Sequence, residues 1–176
     1  KFTKAEKKAK DYQELRDVAH KISEAGDKKW AKNVLKKAEE QSSDYSGFTS
    51  VANSVFNEFD DKEWLKKLYK KAEEQADDYY DFSSLAKNII EELGDKEWLK
   101  KVYKKAEIKG ENCTDFRCLA DSIYENLGDK NWSKKIYNKA AEKAEDYGDF
   151  RYLADSIYET LGDKELAKKN YKKAEE

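Results

Sequence analysis

A short phrase of charged and aromatic residues returns along this chain at a constant step of 34 residues. It reads Gly-Asp-Lys-Glu-Trp in its fullest form, and its copies begin at Gly26, Asp60, Gly94, Gly128 and Gly162. A constant step of this size predicts one small supersecondary unit stacked on copies of itself. Chains built in this way present binding surfaces more often than they carry out reactions.

The composition favours an all-helical domain and argues against disorder. Charged residues make up 42% of the 176-residue chain, yet 13% of its residues are aromatic, and disordered chains are poor in such side chains. The chain has no Pro, the strongest helix breaker. The formal charge of −2 gives no overall field that would attract nucleic acid or an anionic membrane. No apolar run reaches the roughly 18 residues that a membrane span needs.

Each repeat contains two amphipathic stripes, as residues 128–161 illustrate. The first is Trp132, Ser133, Ile136, Tyr137 and Ala140, and the second is Phe150, Leu153, Ala154, Ile157 and Leu161. Both follow helical spacing. Gly162 is then expected to end the second stripe in a left-handed conformation, and Asp163 to cap the helix that follows. The pair Gly-Asp therefore predicts a tight turn between antiparallel helices.

A different capping pattern, Asp or Asn followed three residues later by an acid, opens the other helix of the repeat. It occurs at Asp11–Glu14, Asp78–Asp81, Asn112–Asp115 and Asp146–Asp149. Together these signals predict a partial helix before residue 11 and ten further helices. Their predicted ranges are 12–25, 28–42, 45–59, 62–77, 79–93, 96–110, 113–127, 130–145, 147–161 and 164–175.

The repeat resembles the tetratricopeptide repeat, which has the same 34-residue period and the same helix-turn-helix plan. The family's second-helix spacing of a small residue, an aromatic residue and Ala is matched by Ser133-Tyr137-Ala140 and Ala167-Tyr171-Ala174. Phe48, Phe82, Phe116 and Phe150 are similar to its first-helix Trp, and the family's Pro is missing throughout. The phrase from Tyr137 to Glu142 also resembles Sel1-like repeats.

The resemblance implies an all-α fold, a right-handed α-solenoid of stacked antiparallel helix pairs with a 34-residue repeat. It covers residues 1–176, which are interpreted as a single tetratricopeptide-like repeat domain. A partial helix at 1–10 would precede hairpins at about 11–43, 44–77, 78–111, 112–145 and 146–176. Both termini fall at the same phase of the repeat, which predicts a fragment of a longer array.

Residues that could carry chemistry are sparse. His20 is the one histidine in the sequence, far along the chain from Cys113 and Cys118, and no Gly-rich phosphate loop occurs. The sequence therefore predicts no enzyme, no metal site and no cofactor. Five positions along one helix separate two Cα atoms by roughly 8–9 Å, whereas a disulfide needs about 4.4–6.8 Å. Free thiols are expected, with a strained bridge or a redox pair as the alternative.

Two ladders of side chains recur with the repeat, and each has two interpretations. Trp30, Trp64, Trp98 and Trp132 are expected to pack between repeats, and the alternative is an exposed ladder for ligands. Lysines recur on the polar side of the helix that follows each Gly-Asp pair, as at Lys66, Lys67, Lys70 and Lys71. A solvated outer face is expected there. The alternative is a basic track for nucleic acid or an acidic protein.

The inner face of the first helices is the candidate partner site. By the resemblance, a concave groove would be lined by Arg117, Asp121, Tyr124 and Glu125 in one repeat and by Arg151, Asp155, Tyr158 and Glu159 in the next. The earlier repeats differ at these positions, as a partner-specific surface on a common frame would. The alternative is that the Arg–Asp pairs are local helix contacts and that the tyrosines fill space. The excess of carboxylates would favour a basic partner segment.

A non-catalytic protein–protein interaction scaffold that binds a peptide or partner segment is therefore the leading hypothesis. A structural spacer that associates end to end is the second hypothesis. Nucleic-acid binding through the lysines is the third, and the net charge disfavours it. No membrane partner is expected. The sequence leaves the identity of the partner and the compartment open.

Overall fold

A computed structural model describes residues 2–175 of the chain, and every regular element in that range is helical. The all-α fold predicted from the repeat pattern is therefore confirmed, and the predicted helix boundaries agree with the observed ones to within two residues. The helices are α1 (Phe2–Lys8), α2 (Tyr12–Glu24), α3 (Lys28–Gln41), α4 (Tyr45–Phe59), α5 (Lys62–Gln75), α6 (Tyr79–Asn88), α7 (Lys96–Lys109), α8 (Cys113–Leu127), α9 (Lys130–Lys143), α10 (Tyr147–Ser156) and α11 (Lys164–Glu175). Single π-helical segments, Ile89–Leu93 and Ile157–Leu161, extend α6 and α10.

The helices divide between two compact units. Unit 1 comprises residues up to Ala76 together with Glu91–Leu93, and unit 2 comprises Asp77–Ile90 and the residues from Gly94 onward. Consecutive helices form the hairpins α2–α3 and α4–α5 in unit 1, and α6–α7, α8–α9 and α10–α11 in unit 2. Within each unit, neighbouring hairpins also pack on one another, since α2 contacts α4 and α8 contacts α10. Each unit is thus a stack of helix pairs, as in a helical-repeat solenoid.

The second helix begins at the predicted Gly-Asp turn in four of the five hairpins, and in α4–α5 Asp60 takes the place of the glycine. The glycine adopts a left-handed conformation, with φ between 64° and 67° at Gly94, Gly128 and Gly162. The aspartate that follows caps the helix, as where Asp129 accepts the backbone N–H of Trp132 at 2.9 Å. Without the left-handed residue the chain could not reverse within two positions, because L-residues with a side chain resist that conformation.

The first helix of each hairpin begins with a side-chain cap, and in α2, α6, α8 and α10 an acid three residues later accepts a backbone N–H in return. Asn112 accepts the N–H of Asp115 at 2.9 Å, and Asp115 accepts the N–H of Glu111 at 3.0 Å. The predicted capping box would return the second bond to the cap residue itself. In the structure that bond goes one residue earlier, because the acid reaches beyond the cap to the last amide of the connecting loop.

The extra residue in the later first helices is absorbed in part by π-helical turns. Phe150 to Gly162 spans one residue more than Leu15 to Gly26. After α6, the N–H of Gly94 donates to the carbonyl of Ile89 at 2.9 Å, which is an i→i−5 bond. Such a turn inserts one residue while keeping the helix axis and the flanking apolar faces in place.

A carboxylate shared by an indole and an ammonium group joins successive second helices within each unit. Glu39 on α3 accepts Trp64 Nε1–H at 2.7 Å and Lys71 Nζ at 2.6 Å, both from α5. We call this arrangement the Glu–Trp–Lys junction. The same junction joins α1 to α3 and α7 to α9, through Glu6, Trp30 and Lys37 and through Glu107, Trp132 and Lys139.

These junctions explain why the tryptophan side chains pack between helices rather than project into solvent. Trp64 and Trp98 are buried, and Trp30 and Trp132 are half-buried with their Nε1–H groups bonded to glutamate. The predicted packing role is thus observed. The bond from Lys37 holds the pKa of Glu6 below its usual value. That junction is therefore at full strength above the ordinary glutamate pKa, and it weakens as the pH falls below it.

Among residues 2–175, no helix combines the length and the apolar character that crossing a membrane requires.

Replacing Asp60 with Gly should stabilise the chain. Asp60 has φ 47° at the position that glycine occupies in the other turns, and an L-residue in that region is strained by about 1 kcal/mol. The expected gain in unfolding free energy is of that size, measured by urea denaturation followed by circular dichroism. The reciprocal change Gly128→Asp should lower stability, and equal stability of all three proteins would show that the turn is not strained.

Candidate functional site

The eight predicted partner residues lie on two neighbouring first helices of unit 2. Arg117, Asp121, Tyr124 and Glu125 are on α8, and Arg151, Asp155, Tyr158 and Glu159 are on α10 and its π-helical end. We call the surface formed by these residues the α8–α10 face. Because α8 and α10 pack against each other, the structure brings the two sets together.

Asp121 is the most constrained member of the α8–α10 face. Its carboxylate accepts the hydroxyl of Tyr137 from α9, and it accepts Thr160 Oγ1–H at 3.1 Å from the end of α10. Ser156 Oγ lies 3.5 Å away, and the Arg117 guanidinium lies at 3.8 Å. One carboxylate thus links three helices of the unit.

Tyr137 on α9 holds this network in place through its hydroxyl group. Its side chain is fully buried, and burial, followed by the hydrogen bond to Asp121, raises the pKa of its hydroxyl. Arg117 completes the network by donating to Ser156 Oγ at 3.1 Å. Asp121 and Arg117 are therefore held in fixed positions while about a quarter of each side chain stays exposed (23% and 25%).

The local interpretation of the Arg–Asp pairs is observed at one of the two sites. Arg117 and Asp121 do approach as an i,i+4 pair, but Asp121 has stronger partners on α9 and α10. Sequence reasoning missed Ser156 and Thr160. The signal available was the spacing of these two hydroxyl residues, which lie one turn apart at the end of α10 and in the π-helical segment that extends it.

The α10 half of the face is more open. Arg151 and Glu159 are exposed, and the side chain of Tyr158 is 50% exposed. Asp155 accepts the hydroxyl of Tyr171, as Asp121 accepts that of Tyr137. On α8, Tyr124 is half-buried and Glu125 is exposed. The two tyrosines therefore differ in how much ring surface they offer.

The same tyrosine position has other hydrogen-bond partners in α5 and α7. Tyr69 donates to Glu92 at 2.5 Å, and burial raises the pKa of that glutamate above its usual value. Asn126 donates its amide to Tyr103 Oη at 2.9 Å. The tyrosine is common to the frame, whereas its partner varies from repeat to repeat.

The lysine ladder is only in part a solvated face. Lys71 and Lys139 belong to Glu–Trp–Lys junctions and also lie 5.5 Å and 6.0 Å from the rings of Phe48 and Phe116. Lys134 forms an ion pair with Asp163 at 2.7 Å. About half of each of these three side chains is exposed (46–48%), so the lysines combine packing with solvation.

The two cysteines and the histidine are the remaining side chains that could carry chemistry. Cys113 and Cys118 are free thiols, and burial raises the pKa of the Cys113 thiol to about 11. A thiol with so high a pKa is a poor nucleophile at neutral pH. His20 is exposed and lies near Glu24 and Glu58 (3.6 and 3.2 Å). In residues 2–175, no group of three His, Cys, Asp or Glu side chains has the geometry to hold a metal ion.

Fold and site together define a helical-repeat protein whose candidate site is an exposed helical face rather than an enclosed cleft. Comparison with protein-family models and with curated sequences gives no match.

Replacing Asp121 with Ala should destabilise the chain by about 1–3 kcal/mol, because the buried hydroxyl of Tyr137 loses its short hydrogen bond to the carboxylate and keeps only a long one to the carbonyl of Ser156 (3.4 Å). Urea denaturation measures the loss. Asp155→Ala is the matched control, since its tyrosine partner, Tyr171, is exposed. Its expected cost is below about 0.5 kcal/mol. Equal costs for the two substitutions would contradict the role assigned to Asp121.

Proposed function

We propose that this chain is a non-catalytic protein-interaction scaffold that binds a peptide or partner segment on the α8–α10 face. The observation that carries the proposal is the half-exposed ring of Tyr158 (50%), on a helix that also carries the exposed side chains of Arg151 and Glu159. Tyrosine and arginine are among the side chains that contribute most to binding at protein interfaces.

The frame beneath the face supports this proposal. Asp121 and Arg117 are fixed by bonds to Tyr137, Thr160 and Ser156 before any partner arrives. A surface whose side chains are already ordered loses less conformational entropy on binding. A segment that binds across α8 and α10 would therefore contact side chains that are already ordered.

The charges of the face favour a basic partner. It has four carboxylates, on Asp121, Glu125, Asp155 and Glu159, against the two guanidinium groups of Arg117 and Arg151. Glu125 and Glu159 are exposed, so each is free to pair with an incoming cation. Complementary charge would increase the association rate and fix the register of the bound segment.

The proposal includes the assignment of the repeat as tetratricopeptide-like. The 34-residue period and the stacked hairpins of two helices are the features that support a tetratricopeptide-like repeat, with a concave binding groove as its functional consequence. Nucleic-acid binding through the lysines has weaker support, because Lys71, Lys134 and Lys139 already have carboxylate partners.

The test is a selection of displayed random peptides on the immobilised chain, followed by fluorescence-polarisation titration of the enriched sequences. Peptides rich in Lys and Arg are expected, and their affinity should fall as the salt concentration rises. Tyr124→Ala combined with Tyr158→Ala should weaken binding at least about tenfold, since each ring would contribute about 1 kcal/mol or more.

The matched control is Tyr80→Ala, which removes an exposed first-helix tyrosine on α6 (65% exposed). Its affinity should stay within about twofold of that of the unchanged chain. Circular dichroism establishes that all variants are folded. Equal binding by the double variant and the control would remove the α8–α10 face as the site.

A further inference from the structure

A groove of about 620 Å³ lies between the second helices α3 and α5 of unit 1. Four lysines, four carboxylates and Trp64 of the Glu–Trp–Lys junction line this groove, so its charges balance. On α3, Glu40 lies one turn after Lys36, and on α5, Glu63 lies one turn before Lys67. Residues four positions apart on a helix are neighbours on its surface. Each of these two lysines therefore has a carboxylate close by on its own helix.

The equivalent groove in unit 2, between α7 and α9, keeps the lysines and loses two carboxylates. Two repeats after Glu40 the chain has Ile108, and two repeats after Glu63 it has Asn131. We call this the α7–α9 groove. All four lysines recur in it, as Lys100, Lys104, Lys135 and Lys139. Only two of the four carboxylates recur, as Glu107 and Asp129, so the groove carries an excess of positive charge.

The two carboxylates that remain in the α7–α9 groove already have donors. Glu107 accepts Trp132 Nε1–H at 3.1 Å and also accepts Lys139 Nζ, as in the other Glu–Trp–Lys junctions. Asp129 caps α9 by accepting the backbone N–H of Trp132 at 2.9 Å. These bonds hold the junction and the helix start, so neither carboxylate is placed to neutralise the rest of the groove.

Two of the lysines are left without a carboxylate partner. Lys100 pairs with Glu97 on its own helix at 3.0 Å. Lys104 and Lys135 are exposed, and among residues 2–175 neither lies within ion-pair distance of a carboxylate. The positions four residues away, which supply carboxylates in the α3–α5 groove, are here an isoleucine and an asparagine. The charge excess of the α7–α9 groove is thus concentrated on Lys104 and Lys135.

Ile108 adds an apolar side chain to this basic groove. It is 80% exposed, although the same position has a glutamate in the other repeats, at Glu40, Glu74 and Glu142. In the α3–α5 groove this position and the tryptophan of the junction line the same cavity. Trp132 is half-buried. A single exposed isoleucine is ordinary on a protein surface. Here it lies one turn from an unpaired lysine, which together make a mixed apolar and cationic surface.

We propose that the α7–α9 groove binds a short acidic segment of a partner protein that carries one apolar side chain. Two carboxylates of the segment would pair with Lys104 and Lys135, and its apolar side chain would contact Ile108 and Trp132. The eight positions from Lys100 to Ile108 cover roughly 12 Å along α7, the length of about four residues of extended chain. A segment of that size is enough to reach all of these groups.

The isoleucine favours a peptide over a nucleic acid as the occupant. A phosphate backbone would use the lysines, but it offers nothing apolar to Ile108. Bases bind single-strand sites by stacking on aromatic rings. Trp132 is the aromatic residue of the groove, and its indole is held by Glu107 and packs edge-on against Tyr103, with 6.4 Å between ring centroids.

This site is separate from the α8–α10 face. It lies on second helices rather than first helices, and its charge selects acidic segments, whereas the α8–α10 face favours basic ones. The proposal therefore goes beyond the proposed function and does not rest on it. Either site can fail while the other stands.

The test is a selection of displayed random peptides on the 176-residue chain, with counter-selection on the double variant Ile108→Glu with Asn131→Glu. That variant carries the residues of the α3–α5 groove at two exposed positions, so it is expected to fold, as circular dichroism checks. The retained peptides should contain Asp or Glu around an apolar residue. In fluorescence-polarisation titrations they should bind the double variant at least about tenfold more weakly, because the apolar contact is lost and two negative charges are added.

Lysine variants test the charge pairs. Lys104→Gln combined with Lys135→Gln should weaken binding of the retained peptides about threefold to tenfold, the value of two exposed ion pairs. The matched control is Lys36→Gln combined with Lys67→Gln, which makes the same change in the α3–α5 groove. It should leave the affinity within about twofold.

A transfer of the two residues tests whether they create the site. Glu40→Ile with Glu63→Asn gives the α3–α5 groove the residues of the α7–α9 groove, and titration calorimetry should then show two peptide sites per chain instead of one. A stoichiometry that stays at one would overturn the proposal. So would equal binding by the chain and the Ile108→Glu, Asn131→Glu variant, or a selection that enriches only basic peptides, which would support the α8–α10 face alone.

Discussion

Within each unit, successive second helices other than α9 and α11 are joined by a carboxylate that two donors share, one from an indole and one from an ammonium group. Glu39, Trp64 and Lys71 form this junction in unit 1, and Glu107, Trp132 and Lys139 form it in unit 2. The junction is missing between α9 and α11, where Ala141 replaces the glutamate and Leu166 replaces the tryptophan. Both partners change together, as expected if neither stabilises the packing without the other. Leaving a half-buried donor without its acceptor costs about 1–3 kcal/mol.

The first helices depend on the frame that these junctions hold. A tyrosine on every second helix from α5 onward points toward them, and its acceptor varies: Glu92 for Tyr69, Asp121 for Tyr137. Packing residues thus recur while the polar partners differ, so each repeat offers a different set of side chains on one geometry. This division allows the α8–α10 face to be specific without any change in the fold beneath it.

Much of the fold could be predicted from the sequence, because the signals that set helix ends are local. Gly128 and Asp129 produced the left-handed turn and the cap that their types imply. The site was less predictable. Nothing local indicates that Asp121 would find Thr160 across 39 positions, since that contact arises only when α10 packs on α8. For the same reason the sequence predicted that Lys71 is solvated, although in the structure it donates a hydrogen bond to Glu39 of the preceding repeat.

The most direct test of this account is a double-mutant cycle at the junction between α3 and α5. Glu39→Ala and Trp64→Leu, singly and together, reproduce the pair that the chain itself uses at Ala141 and Leu166. Urea denaturation gives the unfolding free energy of all four proteins. If the junction joins the repeats as described, the double variant loses less stability than the sum of the single losses, with a coupling of about 1 kcal/mol. Losses that add to within about 0.3 kcal/mol would mean that Glu39 and Trp64 act independently, and the account would be wrong.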